Sequence, residues 1–194
     1  KDTLFPLSYN PVLQKTNEDL SFLKTLNTST GADTIELPFY EDFAYEGPFA
    51  VSTKWMNSKS VFVNNTFPKH PRTIGVATFD GLKSTGYPYK PFGSSGTENA
   101  DTLTSKYIRL DSITGSFIAI TPADSVYLSF YYQSWGNGHK PNVSHTLLLD
   151  FFNPTTGAWV NKLTISRPTS STKGVKDTTF TRVMIPITDA QYFK

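Results

Sequence analysis

Short runs of alternating apolar and polar residues occupy most of the chain after Gly31, and this two-residue period is typical of β-strands. Gly, Pro, Asn and Ser, which favour turns, separate the runs. The pattern predicts eight strands, at 35–43, 59–63, 73–79, 103–110, 125–133, 145–152, 157–165 and 180–187. No segment has the period of a sustained helix, so the pattern predicts an all-β antiparallel fold.

The clearest strand is VYLSFYYQ at 126–133, whose even-numbered residues are apolar and should face a core. We expect 145–152 to lie beside it, and NPTTG at 153–157 to form the turn of a hairpin. Pro186 indicates the edge of a sheet or the end of a strand, because proline cannot donate to a ladder.

Residues 1–34 lack this alternation. Their sparse apolar side chains cannot form a core, so we expect an extended leader that serves as a tether or wraps a partner. Residues 35–194 should then form a single β-sandwich. Two of its loops, 81–101 and 134–144, are longer than a sandwich needs, and long loops are often functional.

Composition supports a sheet and excludes several kinds of site. Aromatic residues make up 14% of the chain, which suits half-buried strands, and we expect Trp55 and Trp159 in the core. The absence of cysteine excludes thiolate metal sites and cysteine catalysis. A net charge of +2, spread along the chain, is not the basic stripe that nucleic acid binding needs. No apolar run reaches the about 18 residues of a transmembrane helix.

One tripeptide recurs six times: Asp, then Ser or Thr, then Ile, Leu, Val or Thr. Average residue usage predicts about one such match among the eleven aspartates. The tripeptide resembles the O-glycosylation acceptor of Bacteroidota envelope proteins, in which the central hydroxyl carries the sugar. The central residues are Thr3, Thr34, Thr102, Ser112, Ser125 and Thr178. The alternative is turn chemistry at strand entrances, where both side chains can bond the backbone.

A second resemblance rests on six blocks of sequence and on their order and spacing. The blocks are LPFYEDF (37–43), IGVATFDGLKSTGYPY (74–89), ADTLTSKYIRL (100–110), SVYLSFYYQSWGNG (125–138), LLLDFF (147–152) and FTRVMIPIT (180–188). Together they resemble the jelly-roll domain of the MAM and concanavalin-like type found in surface proteins of gliding or type 9-secreting Bacteroidota. The resemblance implies a two-sheet antiparallel jelly-roll sandwich.

In such domains, a strand of alternating Phe and Arg and a Trp-containing strand usually follow the run equivalent to 180–187. Here the chain stops at Tyr192, Phe193 and Lys194. The resemblance therefore implies that the sandwich lacks its closing strands. An unpaired edge beside an apolar face promotes aggregation, so we expect more chain or a partner strand to cover it.

The sequence does not contain the residue patterns of a hydrolase active site. Concanavalin-like glycosidases need paired carboxylates, whereas LLLDFF has one Asp and the whole chain has five Glu. His70, His139 and His145 lie in or beside loops, with no serine in a nucleophile elbow and no third zinc ligand. We expect a protein that is not an enzyme, and a hydrolase only if catalytic residues lie outside this chain.

Structural calcium is the one metal that the sequence suggests, since sandwiches of this kind often hold one ion through backbone oxygens and a carboxylate. Glu41 and Asp42, at the end of the first predicted strand, and Asp80 are the candidate ligands. The alternative is that Asp42 caps a turn before Phe43.

Aromatic side chains in the long loops suggest a carbohydrate site, because sugar rings stack on exposed aromatic faces. The candidates are aromatic and polar side chains of these loops: Tyr87, Tyr89, Trp135, Asn137 and His139. Alternatively, Tyr87 and Tyr89 pack over the sheet and close one end of the core.

These observations predict a non-catalytic, exported interaction module at the surface or outer membrane of a Bacteroidota cell. It would dock to envelope proteins of that cell in a secretion, gliding or nutrient-uptake assembly. The alternative is a carbohydrate-binding module that uses the two long loops. Because the chain begins at Lys1 without a methionine, we expect upstream processing or truncation, and a lipid-bearing upstream cysteine is one form of it.

Overall fold

The computed structural model of the chain describes residues 34–90, 99–113, 115, 118–166 and 178–193. The predicted leader, apart from residue 34, lies outside the described residues. The strands are β1 (Thr34–Leu37), β2 (Phe62–Asn64), β3 (Val76–Thr78), β4 (Tyr107–Ile113), β5 (Tyr127–Tyr132), β6 (Thr146–Asn153), β7 (Ala158–Ser166) and β8 (Thr181–Pro186).

The prediction of a strand-dominated chain is confirmed, since each of the eight predicted runs overlaps one of these strands. Helical structure in the described residues is limited to short 3₁₀ turns at Ser58–Ser60, Pro122–Asp124 and Ala190–Tyr192. The first predicted strand was too long: β1 ends at Leu37, because Pro38 has no N–H with which to continue a ladder. No helix in the described part of the chain is long and apolar enough to cross a bilayer.

The strands pair in four sheets of two strands each, β1 with β4, β2 with β3, β5 with β8 and β6 with β7. The prediction that 126–133 and 145–152 lie side by side was therefore wrong, because β5 and β6 belong to different sheets. Alternation predicts which residues share a face, but it does not say which strand supplies the neighbouring backbone.

The described residues form two compact units. The first contains Asp42–Asn64 and Thr73–Tyr107, and the second contains Thr34–Glu41, Asn65–Arg72 and the chain from Ile108 onward.

The core of the first unit is small and aliphatic at its centre. Ala50, Val61 and Val63 are buried, and Phe43 and Trp55 pack against them. The rings of Phe43 and Trp55 stack with centroids 6.0 Å apart. The prediction that Trp55 contributes to a core is confirmed.

In the second unit, β6 and β7 form the predicted hairpin. Asn153 closes its turn, accepting the N–H groups of Thr155 and Thr156 at 2.8 and 3.3 Å. Trp159, however, is 58% exposed, so its assignment to a core was wrong. Neighbouring residues of a strand face opposite sides, and the half-buried residue is Val160.

The β5 and β8 pair is antiparallel, with Tyr127 opposite Pro186 and Tyr132 opposite Thr181. Its two faces follow the predicted alternation. The even-numbered residues of β5 are half-buried and the odd-numbered ones are exposed. No residue of this apolar face is fully buried, so the face is only partly covered by the described chain.

Candidate functional site

A polar site in the second unit forms where the chain leaves β5. Gln133, the residue after β5, accepts the N–H of Lys69 at 3.0 Å. Its amide nitrogen donates to the carbonyl oxygens of Lys69 at 2.8 Å and Thr178 at 2.9 Å. The Gln133 side chain thus links its own segment to the segments of Lys69 and Thr178. A neighbouring strand would make such bonds with its backbone groups.

The loop after Gln133 is fixed to the segment before Lys69. The N–H of Asn137 donates to the carbonyl oxygen of Phe67 at 2.6 Å, and its side-chain nitrogen donates to that of Thr66 at 3.0 Å. Gly136 is buried, and a Cβ added to it would lie 2.0 Å from the Phe67 oxygen. Glycine is therefore required for the two backbones to approach this closely.

Three cationic side chains of the site rest on aromatic rings. The Lys69 and Lys140 nitrogens lie 5.5 and 5.6 Å from the centroid of the Trp135 ring. The Arg72 guanidinium lies 4.5 Å from that of Tyr131. Such contacts contribute about 0.5–1 kcal/mol each at exposed sites, enough to restrict where the charges sit.

Beside these residues lies an open cleft of about 470 Å³, formed by residues 69–72 and 178–180. His70 in its wall has a φ of 51°, in the left-handed region that few non-glycine residues adopt. The cleft presents charged nitrogens, threonine hydroxyls and the ring of Phe180.

The sequence-predicted carbohydrate residues divide between the two units. Trp135, Asn137 and His139 belong to the second unit, where Asn137 fixes the loop and His139 is exposed. Trp135 is half-buried, and its indole N–H is buried with no hydrogen-bond partner. Two lysine nitrogens lie near its ring, so Trp135 helps to position charges. A role of Trp135, Asn137 and His139 in sugar binding stays a prediction.

Sequence reasoning missed Lys69, Arg72 and Gln133. The signal was present in KHPR at 69–72, which places three basic side chains within four residues. The contact with Gln133 spans 64 positions and has no local signature.

Tyr87 and Tyr89 belong to the first unit, where Tyr87 is 54% exposed and does not close a core. Tyr89 lies close enough to Asp101 for the two side chains to influence each other's pKa, and the sequence analysis did not select Asp101. Burial, together with the charge of Asp80, raises the pKa of Asp101 to about 6. One Asp101 oxygen accepts the Gly81 N–H at 2.7 Å, and the other is buried without a hydrogen-bond partner.

The calcium candidates are not gathered into one cluster. Among the described residues, no group of three or more His, Asp or Glu side chains could hold a metal ion. Asp42 accepts the N–H of Ala44 at 3.1 Å, as in the alternative of a capped turn. Asp80 accepts the N–H of Leu82 at 3.0 Å. Calcium binding by Glu41 stays a prediction. A calcium site built mainly from backbone oxygens also stays a prediction.

The candidate glycosylation hydroxyls occupy different environments. Thr34, Thr102 and Ser125 are exposed, whereas Ser112 and Thr178 are half-buried. Thr3 lies outside the described residues. Ser112 lies within β4, so that tripeptide does not mark a strand entrance. Asp124 shows the turn chemistry of the alternative, accepting the N–H of Thr121 at 2.8 Å. Modification of these hydroxyls stays a prediction.

Neither a family model, nor a curated protein, nor a solved structure matches this chain. The resemblance to Bacteroidota jelly-roll domains therefore stays a prediction from its sequence blocks.

Replacing Gly136 with Ala tests whether the close contact with Phe67 holds the site together. We expect a loss of about 1–3 kcal/mol in the free energy of unfolding, because the added methyl group overlaps the Phe67 oxygen. Gly138→Ala is the matched control, since a Cβ there meets nothing within 4 Å. Urea unfolding of the two variants measures the difference. Equal stabilities would contradict the docked loop.

Replacing Asp101 with Asn tests the buried carboxyl. Since its folded pKa of about 6 exceeds its ordinary value of 3.8, the folded state binds the proton more tightly. The free energy of unfolding should therefore fall as pH rises from about 4 to about 6. Asp101→Asn should remove this fall and be more stable at pH 7.5, by about 1 kcal/mol after allowance for solvent screening.

Asp124→Asn serves as the control of opposite sign. Bonds from Thr121 lower the pKa of Asp124, so its replacement should destabilise the protein at neutral pH. Urea unfolding at pH 4.0, 5.5 and 7.5 resolves both effects. If Asp101→Asn were less stable than the parent at pH 7.5, the carboxyl would not be penalised by burial.

Proposed function

We propose that this chain is a non-catalytic exported interaction module that accepts an extended segment of a partner protein at the free edge of β5. The partner would be an envelope protein of a Bacteroidota cell, in an outer-membrane or cell-surface assembly for secretion, gliding or nutrient uptake. The observation that carries the proposal is the open edge of β5. Adding a strand to such an edge is a common mode of peptide recognition.

The register shows which backbone groups face this edge. The N–H of Ile187 donates to the carbonyl oxygen of Val126 at 2.9 Å, just beyond the pair of Tyr127 and Pro186. Hydrogen-bonded and non-bonded pairs alternate along an antiparallel ladder. The N–H and C=O groups of Tyr127, Ser129 and Tyr131 therefore point away from β8, and no third strand in the described chain meets them.

The edge of β5 is the least protected of those in the second unit. Natural edge strands are guarded by proline, charge or bulges. On β8, Pro186 and Arg182 occupy outward positions, so that edge lacks one donor and carries a charge. The β6 and β7 pair has a bulge between Leu149 and Asp150. By contrast, β5 reads YLSFYY, without charge or proline.

Apolar surface beside β5 also supports a partner. Val126, the residue before β5, lines an open cleft of about 490 Å³ together with Ile113 and Ile118. Ile118 is 72% exposed, and Tyr127 on β5 is 52% exposed. Alternate side chains of an added strand would cover such surface and provide specificity.

The exported location and the jelly-roll arrangement rest on the sequence. The recurring tripeptide supports export, and the six sequence blocks support both export and the jelly roll. A strand added to β5 would turn its sheet of two into a sheet of three, a step towards the larger sheets of a jelly roll. The carbohydrate-binding alternative is favoured by a separate observation, the basic cleft.

Ser129→Pro tests strand addition at β5. The substitution removes an outward N–H in the middle of the strand and leaves the ladder to β8 without a lost donor. Met184→Pro, directly opposite Ser129, makes the same change on the outer edge of β8 and is the control. We expect Ser129→Pro to weaken capture of envelope proteins at least about tenfold, and Met184→Pro to have little effect.

The measurement is a quantitative pull-down from a solubilised envelope fraction, after circular dichroism has shown that both variants fold. Hydrogen exchange of the complex gives an independent readout. The amides of Tyr127, Ser129 and Tyr131 should gain protection, because they are the ones left open by β8. Equal capture by the parent and by both variants, with no gain in protection, would refute the proposal.

Peptide mapping of the protein isolated from its own cells tests the export part. If the tripeptides are glycosylation acceptors, peptides carrying the exposed Thr34, Thr102 and Ser125 should show a mass above that of the bare sequence. Half-buried Ser112, inside β4, is the internal comparison and should be modified least. Unmodified peptides throughout would remove glycosylation as support for an envelope location.

A further inference from the structure

A second binding site, which does not use the outward backbone groups of β5, is indicated by the basic cleft of the second unit. The cleft has a volume of about 470 Å³, which lies in the range of small-molecule sites. It is formed by residues 69–72 on one side and 178–180 on the other. Gln133 bonds to both sides, through Lys69 and Thr178, so the walls are held at a fixed separation.

Two cations of the cleft, Lys69 and Arg72, have no acidic partner among the described residues. Lys140 adds a third cation beside Lys69, since both lie over the Trp135 ring. Positive side chains that converge in a concave site attract an anionic ligand.

The cations are also oriented. The guanidinium carbon of Arg72 lies 4.5 Å from the centroid of the Tyr131 ring, which restricts the side chain, and the N–H groups that do not face the ring are able to donate. Such N–H groups match the two oxygens of a carboxylate or a sulfate. Because the aromatic rings already restrict these side chains, binding an anion costs less conformational entropy.

The remaining groups of the cleft suit a polyol. Thr178 and Thr179 supply hydroxyls that both donate and accept, and Phe180 supplies an apolar wall. A rigid sugar ring presents hydroxyls and C–H faces in the same small volume. We infer that the cleft binds an acidic saccharide, a sugar ring that carries a carboxylate or a sulfate.

Titration calorimetry on the full chain tests this inference, with protein made in a host that does not glycosylate it. The probes are a galacturonic acid tetrasaccharide, its neutral methyl ester, a sulfated galactose tetrasaccharide and a tetraglutamate peptide. We expect binding of at least one acidic saccharide. The methyl ester and the peptide should bind at least about tenfold more weakly, since each lacks one part of the ligand.

Variants separate the cleft from general surface charge. Lys69→Gln and Arg72→Gln should each weaken binding about five- to tenfold, and Arg72→Lys should fall between Arg72→Gln and the parent. Lys162→Gln is the matched control, because Lys162 also rests on a ring, that of Tyr192 at 4.8 Å, but does not line the cleft. Ser129→Pro should leave the affinity unchanged, which distinguishes this site from the β5 edge.

The inference is overturned if neither acidic saccharide binds. Equal affinity for the methyl ester would show that the charge is not used, and equal affinity for tetraglutamate would show a site for acidic peptides. Equal losses in Lys162→Gln and Arg72→Gln would show attraction by net charge alone. Circular dichroism and the melting temperature of each variant exclude misfolding as the cause of a loss.

Discussion

The hydrogen-bonding need of strand backbones governs this structure. Every sheet in the described chain has two strands, so each ladder satisfies its strands on one side only. Isolated two-stranded sheets are marginal in water, and they persist when side chains or further strands support them. For β5 and β8, the alternate face is apolar yet only half-buried. The backbone of β5 therefore has capacity for a further strand at its edge, and the half-buried side chains have capacity for a further layer against their face.

Near the end of β5, side-chain amides make backbone hydrogen bonds of the kind that a third strand would make. Gln133 bonds to the backbones of Lys69 and Thr178, in the way that a peptide group of a neighbouring strand would. Asn137 does the same for Thr66. A side-chain amide has donors and an acceptor like a peptide group, but it also leaves space beside it. The cleft between 69–72 and 178–180 is that space, so one device both stabilises the unit and forms its polar site.

The sequence predicted the strands well because alternation is local. Leu128 and Phe130 on β5 are half-buried as their spacing required. It did not predict the partners, because β5 pairs with β8 across a large separation in sequence, and alternation carries no information about distance along the chain. The hairpin of β6 and β7 was predictable, since Asn153 and Gly157 mark its turn locally.

The candidate site was predictable only in part, because only its local features are visible in the sequence. The sequence pointed to the loop that contains Trp135 and Asn137, because long loops with aromatic residues stand out. It did not predict their structural roles, in which Trp135 lies beside two lysines and Asn137 fixes the loop. Those roles depend on Lys69 and Thr66, which fold next to the loop from more than 60 positions away. Only the basic run at 69–72 was visible beforehand.

The two proposed surfaces differ in what they can contribute to affinity. A strand added to β5 would use the three outward N–H and three outward C=O groups of Tyr127, Ser129 and Tyr131. At about 0.5–1.5 kcal/mol net for each bond, this ladder contributes about 3–9 kcal/mol. Association costs about 4–15 kcal/mol in lost freedom, so over most of these ranges the ladder by itself falls short of holding a partner.

Side-chain burial must supply the rest, and the apolar surface near Val126, Ile118 and Tyr127 is where it is available. At about 25 cal/mol for each Å² of apolar area removed from water, a few hundred Å² would be sufficient. The basic cleft offers less apolar surface, mainly the ring of Phe180, so an anion bound there would depend more on charge and would bind more weakly as salt screens it. If both proposals hold, the β5 edge would supply most of the affinity for a partner protein, and the cleft would supply selectivity among acidic ligands.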